Sequence, residues 1–186
     1  MALGTLLKTT TRGLHDTLVK SELGRLMAQK ELRAEDLTKT LLKYYGMHRV
    51  LEAHIAQSTD WPILPMDYAP SKRVHDLEAD LKRIGSSHEN APLPDWELPP
   101  ERKQKGWGLG AFYVLEGSRL GGIHIHRQLA SRTPPIQLDY FDQPQEETDS
   151  LWQAIQQKLA AAEDDGSADQ VAAAATYTYQ LLAGWL

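Results

Sequence analysis

A helical spacing of apolar residues runs through almost the whole chain and limits the folds it can adopt. Between residues 35 and 57, the same face carries residues separated by alternating steps of four and three: Leu37, Leu41, Tyr44, His48, Leu51 and Ile55. That spacing is typical of one long helix. Comparable patterns predict helices at 3–23, 72–84, 101–131, 146–162 and 168–185, and no alternating strand pattern of useful length occurs. We therefore expect an all-α single domain of about six helices over residues 1–186.

Two proline-bearing segments, 58–71 and 85–100, are predicted to be loops between these helices. The last helix carries a start signal, because Ser167 is followed three residues later by Gln170. This pair predicts a capping box, in which each side chain satisfies a backbone amide of the first turn.

The composition excludes several classes of function. With 41% hydrophobic and 24% charged residues among 186, the chain has the make-up of a soluble globular protein. Its net charge is −5 and no basic run exceeds two residues, which is unlike a nucleic-acid-binding protein. It contains no cysteine, so disulfides, thiolate catalysis and iron–sulfur clusters are excluded. No apolar stretch reaches the length of about 18 residues that spans a membrane, and we expect a cytoplasmic protein.

Lys8, Arg12 and His15 share one face of the first predicted helix. At 100° per residue they fall at about 0°, 40° and −20°, beside an apolar stripe that would face the core. An imidazole can bind a metal ion, and the two cations could meet the carboxylates of an anionic cofactor. On spacing alone, a solvated helix face with an incidental histidine is the simpler interpretation.

The segment GWGLGAFYVLEGSRLGG, residues 106–122, places six glycines in and around a helix. Each glycine within a helix costs roughly 1 kcal/mol relative to alanine. Gly110, Val114, Gly117 and Gly121 fall within about 60° of each other and form one smooth face. This face could pack closely against another helix, or it could lie against a planar ligand, with kinks at Gly117 and at the Gly121–Gly122 pair. The pattern leaves both interpretations open.

Taken together, these strings resemble the haem oxygenase family. LKTTTRGLH is similar to the proximal helix of its members, and YVLEGSRLGG to the distal helix of its bacterial branch. RVHDLEADLKRIG and TYQLLAGWL also resemble bacterial members, so the resemblance covers nearly the whole chain. It implies a helical bundle that holds haem between a proximal N-terminal helix and a kinked, glycine-rich distal helix.

The resemblance also implies roles for individual residues. His15 would be the axial iron ligand, and Lys8 and Arg12 would meet the haem propionates. Three distal-helix glycines would lie near the haem face, namely Gly117, Gly121 and Gly122. Tyr113 occupies a position where members often carry a tyrosine near the pocket, although a core tyrosine fits as well.

The distal string departs from the family pattern at three positions. Animal members carry an aspartate where this chain has Ser118, so other groups must organise water near the oxygen-binding face. Arg119 replaces an expected threonine. His124 lies at the edge of the glycine face, where an inward-pointing imidazole could bind iron and block oxygen. His126 is predicted to face solvent.

The other histidines suggest no second metal site. His48 lies on an apolar face and is predicted to be a hydrogen-bonded core residue. No glutamate is followed by histidine at the Glu-x-x-His spacing, so a di-iron carboxylate bundle is excluded.

The implied activity is oxidative opening of haem, with haem as both substrate and cofactor and O2 as co-substrate. The products would be biliverdin, carbon monoxide and ferrous iron. Electrons would come from a ferredoxin or flavin reductase, and the bilin could serve iron acquisition or a photoreceptor. Two alternatives stay open at this point: a non-catalytic haem carrier or sensor with a second histidine ligand, and a haem-free helical interaction domain.

Overall fold

The computed structural model describes residues 2–29, 32–58 and 72–186, and these residues confirm the all-α class. They form helices and connecting loops and contain no β-strand. The α-helices are α1 (Leu3–Val19), α2 (Glu22–Ala28), α3 (Ala34–Ala56), α4 (Lys72–Arg83), α5 (Trp107–Ala130), α6 (Gln145–Asp164) and α7 (Ala168–Trp185). A 3-10 turn, Pro100–Lys103, precedes α5. Most of the first predicted loop, 59–71, lies outside the described residues.

The predicted first helix is in fact two helices. Helix α1 ends at Val19, and Ser21 starts α2 by accepting a hydrogen bond from the backbone amide of Gly24 at 3.1 Å. The turn brings Gly24 so close to α1 that a β-carbon there would lie 2.9 Å from the carbonyl oxygen of Leu18. A serine cap and a glycine that permits close approach therefore outweigh the continuous apolar pattern.

The glycine-rich helix begins later than the pattern predicts, at Trp107 rather than Glu101. Gly106 adopts a left-handed conformation with φ of 95° directly before α5, which separates the helix from the 3-10 turn. From Trp107 the helix continues through every glycine to Ala130.

The predicted capping box at the start of α7 is wrong. The Ser167 hydroxyl donates to the Asp165 carboxylate at 2.6 Å and makes no capping bond to the helix. The Lys105 ammonium and the Ser167 donors also hold the pKa of Asp165 at about 2, well below its usual range. The acidic residue two positions before the serine competes successfully for its hydroxyl.

Two apolar clusters build the core and meet near the middle of α3 and α5. One joins α1, α3, α5, α6 and α7, and includes Leu7, Leu51 and Phe112. The other joins α2, α3, α4, the C-terminal end of α5 and the segment that follows it, and includes Leu41, Leu77 and Leu138. Helix α7 packs most extensively on α5 and α1. None of the described helices is long and apolar enough to cross a membrane.

Candidate functional site

A cavity of about 340 Å³ lies between α1 and α5, where the two apolar clusters meet. We call it the inner cavity. Its walls come from α1, α3, α4, α5, α7 and the segment after α5, and they include His15, Leu18, Tyr44, Met47, Arg73, Gly117, Ser118, Gly121, Gly122, His124, Tyr140, Phe141, Tyr179 and Leu182. The predicted proximal and distal residues are therefore brought to one place in the fold.

His15 enters the inner cavity from α1 as an accessible imidazole. Its side chain is 58% exposed, and its Nδ1 lies 3.7 Å from a carboxylate oxygen of the neighbouring Asp16. On the other side its ring meets Tyr179 edge to face, with centroids 6.4 Å apart. Among the described residues no group of three or more His, Asp or Glu side chains is arranged to hold a metal ion. A metal at this site would therefore be held by fewer than three such side chains and would need other ligands of its own.

The glycines of α5 form the facing wall of the inner cavity. A β-carbon at Gly121 would meet no atom within 4 Å, and one at Gly117 would only approach the Trp152 ring at 3.9 Å. A β-carbon at Gly122 would lie 3.4 Å from Phe141. Open space lies in front of Gly121, and any larger side chain would project into it.

Gly110, which the spacing places on the same face, has a different environment. A β-carbon there would clash with the carbonyl oxygen of Val171 and would lie 2.7 Å from the β-carbon of Ala174. This glycine therefore permits close packing of α5 on α7. The two interpretations of the glycine face apply to different parts of the helix, with helix packing at Gly110 and open space at Gly121.

Ser118 lines the inner cavity but its hydroxyl is turned back to its own helix. The hydroxyl donates to the carbonyl oxygen of Leu115 at 2.6 Å. A serine so bonded has no proton left for a ligand, although its oxygen can still accept.

A second opening adjoins the inner cavity and shares His15, Gly117 and Tyr179 with it. This outer cleft has a volume of about 990 Å³ and runs between α1 and α6. Lys8 and Arg12 are exposed along it, and no ion pair involving either cation is found among the described residues. Tyr113 is buried at the cleft wall with its ring 5.5 Å from that of Trp152. The two openings together form one slot with two basic residues towards its outer end.

The histidines of α3 and α5 fall into distinct settings. His48 is fully buried, as predicted, and is hydrogen-bonded at both ring nitrogens. His124 is exposed and lines the inner cavity. His126 is partly exposed and lies 3.8 Å from Asp142.

A line of buried polar side chains reaches the inner cavity from within α3. Glu52 lies 2.9 Å from His48 Nδ1, and His48 Nε2 lies 2.7 Å from the hydroxyl of Tyr140. The guanidinium of Arg73 stands 4.1 Å above the Tyr140 ring. Burial, with the charge of Arg73, lowers the pKa of His48 to about 3, and burial raises the pKa of Tyr140 to about 12. His48 and Tyr140 are therefore neutral near pH 7.

The unexpected Arg119 is a buried structural residue. Its guanidinium donates to Glu116 at 3.1 Å and to Gln143 at 2.6 Å. Gln143 in turn donates to Asp76 of α4. These bonds tie α5 to the segment that closes the inner end of the cavity.

Sequence reasoning missed Arg73, Tyr140, Phe141 and Tyr179 as cavity residues. Arg73 carried a usable signal, because it lies four residues before Leu77 and thus on the apolar face of α4. A charged residue in such a position is buried against partners or a site. Tyr140 and Phe141 lie outside any helix, where periodicity says nothing about burial.

Known proteins resemble this chain in sequence and in fold. The model of the heme oxygenase family matches residues 1–186. A heme oxygenase of Xanthomonas campestris pv. campestris (strain 8004) is 30% identical over 137 residues, which cover 72% of this chain and 77% of that protein. The crystal structures of NO- and CO-bound heme oxygenase from Neisseria meningitidis provide a fold match with a TM-score of 0.70 at 19% identity, covering 98% of this chain and 88% of the other. The chain belongs to the heme oxygenase family.

Proposed function

We propose that this protein binds haem in the slot between α1 and α5 and opens the macrocycle oxidatively to biliverdin, with release of carbon monoxide and ferrous iron. The observation that carries the proposal is that His15 and the bare surface at Gly121 border one cavity from facing helices. The family to which the chain belongs supports the same reaction.

The residues present fit a planar, largely apolar group with acidic substituents. The inner cavity is lined by apolar side chains, among them Leu18, Met47, Phe141 and Leu182, which suit the hydrocarbon body of haem. The missing side chain at Gly121 leaves room for a flat ring against the helix backbone. Towards the outer cleft, Lys8 and Arg12 offer cations to the two propionates.

His15 would hold the iron from the proximal side. A neutral imidazole binds haem iron through a ring nitrogen, and the position of the other nitrogen orients the ring. Asp16 lies beside Nδ1 and leaves Nε2 as the nitrogen for the metal.

Helix α5 would shape the distal side. Gly117, Gly121 and Gly122 bring backbone rather than side chains towards the substrate, and Ser118 contributes an oxygen that can accept a hydrogen bond. Bound haem supplies both the iron that activates O2 and the carbon that is oxidised. With no flavin or nicotinamide motif in the chain, electrons would come from an external ferredoxin or flavin reductase, and the bilin could serve iron acquisition or a photoreceptor.

A haem titration followed by a single turnover with ascorbate and O2 tests the proposal. Wild-type protein should bind haem stoichiometrically and convert its Soret band to the spectrum of biliverdin. His15→Ala should keep the fold, because the side chain is mostly exposed, and should lose turnover unless imidazole is added. Native turnover by the variant without imidazole would refute the axial role of His15, and failure of the wild-type protein to bind haem would refute the function.

His124 raises a specific alternative, a haem carrier or sensor with two histidine ligands, because it lines the same cavity. Azide binding distinguishes an open distal side from a site with two histidine ligands. An open distal side should take up azide in the ferric complex with a clear spectral change, whereas a site closed by His124 should resist it in wild type and accept it in His124→Ala. In a haem-free interaction domain, the titration itself would give no complex.

A further inference from the structure

Trp152 of α6 lies beside the slot and has no part in the proposed binding of haem. Its indole is partly exposed and lines the outer cleft together with Gly117 and Tyr113. Gly117 also belongs to the wall of the inner cavity, so the indole stands near the junction of the two openings. An aromatic ring in this position is accessible both from the slot and from solvent.

Gly117 leaves the edge of the Trp152 ring uncovered towards α5. A β-carbon at this position would lie 3.9 Å from Cζ3 and 4.0 Å from Cη2 of the indole, and no other atom is as close. Those are ordinary van der Waals distances. In the proposed complex the macrocycle lies against this glycine face, so no side chain at position 117 separates it from the indole.

The orientation of the indole is fixed from one side. Its ring packs on that of Tyr113, with centroids 5.5 Å apart and planes at 35°. Tyr113 is itself buried in the larger apolar cluster, which holds the pair in place. The opposite side of the indole reaches the cleft, where water can accept a proton from its N–H group.

Other oxidisable side chains border the slot, and the chain contains no cysteine. Tyr113 and Tyr179 are poor electron donors, because a phenol gives up an electron readily only if its proton leaves as well. Burial raises the pKa of Tyr113, and that of Tyr179 to about 12, and neither hydroxyl is hydrogen-bonded to a described residue. Met47 is buried in the inner cavity wall, and a thioether takes up an oxygen atom to form a sulfoxide. An indole can lose an electron first and its proton afterwards.

The proposed reaction brings an oxidant to this place. It reduces O2 in the slot, and O2 that takes up two electrons and two protons without attacking the ring becomes hydrogen peroxide. Hydrogen peroxide in turn takes up two electrons and two protons to give two molecules of water. Bound haem can supply one of these electrons. The second electron must come from the polypeptide when no external donor is present.

We propose that Trp152 supplies this second electron, and that the indole at the junction of the two openings is the exit by which oxidising equivalents leave the slot. The inference rests on the proposed binding of haem. The indole loses one electron and then passes its N–H proton to water, which leaves a neutral indolyl radical. Ascorbate restores the indole by giving one electron and one proton. Without a reductant, O2 forms a carbon–oxygen bond to the ring, and the tryptophan stays oxygenated.

Peptide mass spectrometry of the ferric haem complex, treated with hydrogen peroxide in the absence of a reductant, tests this proposal. Trp96 is the internal control, because it is also partly exposed and packs on another aromatic ring, that of Trp185 at 6.2 Å, but lines neither opening. Oxygenation of Trp152 should exceed that of Trp96 severalfold in the haem complex. The two should react alike in the haem-free protein, and ascorbate should suppress the difference.

Electron paramagnetic resonance of samples frozen soon after peroxide addition gives a second readout. Wild-type protein should show a tryptophan radical, identified by the change in its signal when the tryptophans carry ring deuterium. Trp152→Phe keeps an aromatic ring against Tyr113 but is much harder to oxidise, so it should lose this radical while binding haem as wild type does. Trp96→Phe should keep the wild-type signal.

Equal oxygenation of Trp152 and Trp96 in the haem complex would overturn the proposal, as would a radical that persists in Trp152→Phe. Oxidation confined to Met47 or to the two tyrosines would also refute it. The peptide comparison uses wild-type protein alone, so it decides the matter even if Trp152→Phe does not fold. A complex that binds haem without opening it would refute the proposed activity and leave this test valid, whereas absence of any haem complex would refute both.

Discussion

The ring of Tyr179 on α7 meets the imidazole of His15 on α1 edge to face, with centroids 6.4 Å apart and planes at 80°. Tyr179 is buried, whereas His15 is largely exposed, so the buried ring limits the orientations open to the exposed imidazole. Packing of α7 against α1 therefore determines how the imidazole is presented to the slot.

Tyr179→Ala should weaken haem binding by about 2- to 10-fold, since an aromatic pair contributes roughly 0.5–1.5 kcal/mol beyond its buried area. Tyr179→Phe keeps the ring contact and should bind haem as wild type does. Fluorescence-quenching titrations with haem would measure both. Equal losses in the two variants would mean that the hydroxyl, rather than the ring, matters to binding.

Lys8→Glu combined with Arg12→Glu should lower haem affinity modestly and alter the ratio of biliverdin isomers. Exposed ion pairs contribute only about 0–1 kcal/mol each, but loss of both anchors should let the macrocycle turn in its slot. Chromatography of the turnover products is the more sensitive measurement. Lys20→Glu with Lys82→Glu makes the same charge change at exposed sites away from the cleft and should leave the isomer ratio unchanged. An unaltered ratio in the Lys8 and Arg12 variant would place the propionates elsewhere.

Gly121→Leu and Gly110→Ala should have opposite effects on the haem-free protein. Leucine favours helix over glycine by roughly 0.8 kcal/mol, and space at Gly121 is open, so the first variant should melt at an unchanged or higher temperature. The smaller change at Gly110 would press on Val171 and Ala174 and should cost about 1–3 kcal/mol. Thermal melts of both apo-proteins would measure this.

Haem binding and turnover should be affected in the opposite order, with the larger loss in Gly121→Leu. The isobutyl group of Gly121→Leu would occupy the space assigned to the substrate, so haem binding or turnover should be lost. Gly110→Ala, where it stays folded, should bind haem normally. A Gly121→Leu protein that is unstable without haem but turns it over when folded would assign this glycine to helix packing as well.

Stability should fall as the pH drops from about 7.5 to 5.5, partly because of His48. Its pKa lies near 3 in the fold, owing to burial and the charge of Arg73, against about 6.5 in the unfolded chain. Between these values the unfolded state binds more protons, so acid favours unfolding by up to about 1.4 kcal/mol per pH unit for this group. Burial lowers the pKa of His54 as well, which adds a contribution of the same sign.

Urea unfolding at several pH values would measure that slope in wild type and in His48→Gln. The variant should show a flatter dependence. Burial raises the pKa of Asp76 and of Asp80. Protonation of these carboxyls therefore stabilises the fold at lower pH and opposes the effect of the histidines, so the slopes should be compared above about pH 5.5. An identical slope in the variant would mean that His48 does not titrate on unfolding in this range.

The helices were predictable from sequence because their periodicity reflects burial on one face, and α7 begins and ends within a residue of its predicted bounds. Two boundaries were predicted wrongly because a local interaction overrode the pattern: Ser21 and Gly24 split the first helix, and Gly106 delayed the start of α5. At α7 the boundary was right but the capping box was not, because Asp165 binds the hydroxyl of Ser167. Whether a serine hydroxyl caps a helix or binds a nearby carboxylate depends on where these groups lie in the fold. The residue types alone do not give those positions.

The sequence was enough to select candidate residues on the two facing helices, but not those at the inner end of the cavity. The spacing of residues within α1 drew attention to His15, and the spacing within α5 drew attention to Gly121. The fold brings both to one cavity. Tyr140 reaches that cavity from a segment without periodicity, and its partner His48 comes from a helix 92 residues earlier in the chain. No local pattern encodes a contact of that separation.

Helix α5 is held differently along its length. Around Gly110 its backbone lies against α7 with no room for a methyl group, and near its C-terminus Leu129 is buried in the second apolar cluster. Between these two contacts, at Gly121, the helix borders empty space. Mechanically it is a beam that is supported at both ends and spans an opening. The shape of the slot is therefore set by contacts about three turns before Gly121 and about two turns after it, so substitutions at those contacts should alter the slot without changing any residue that lines it.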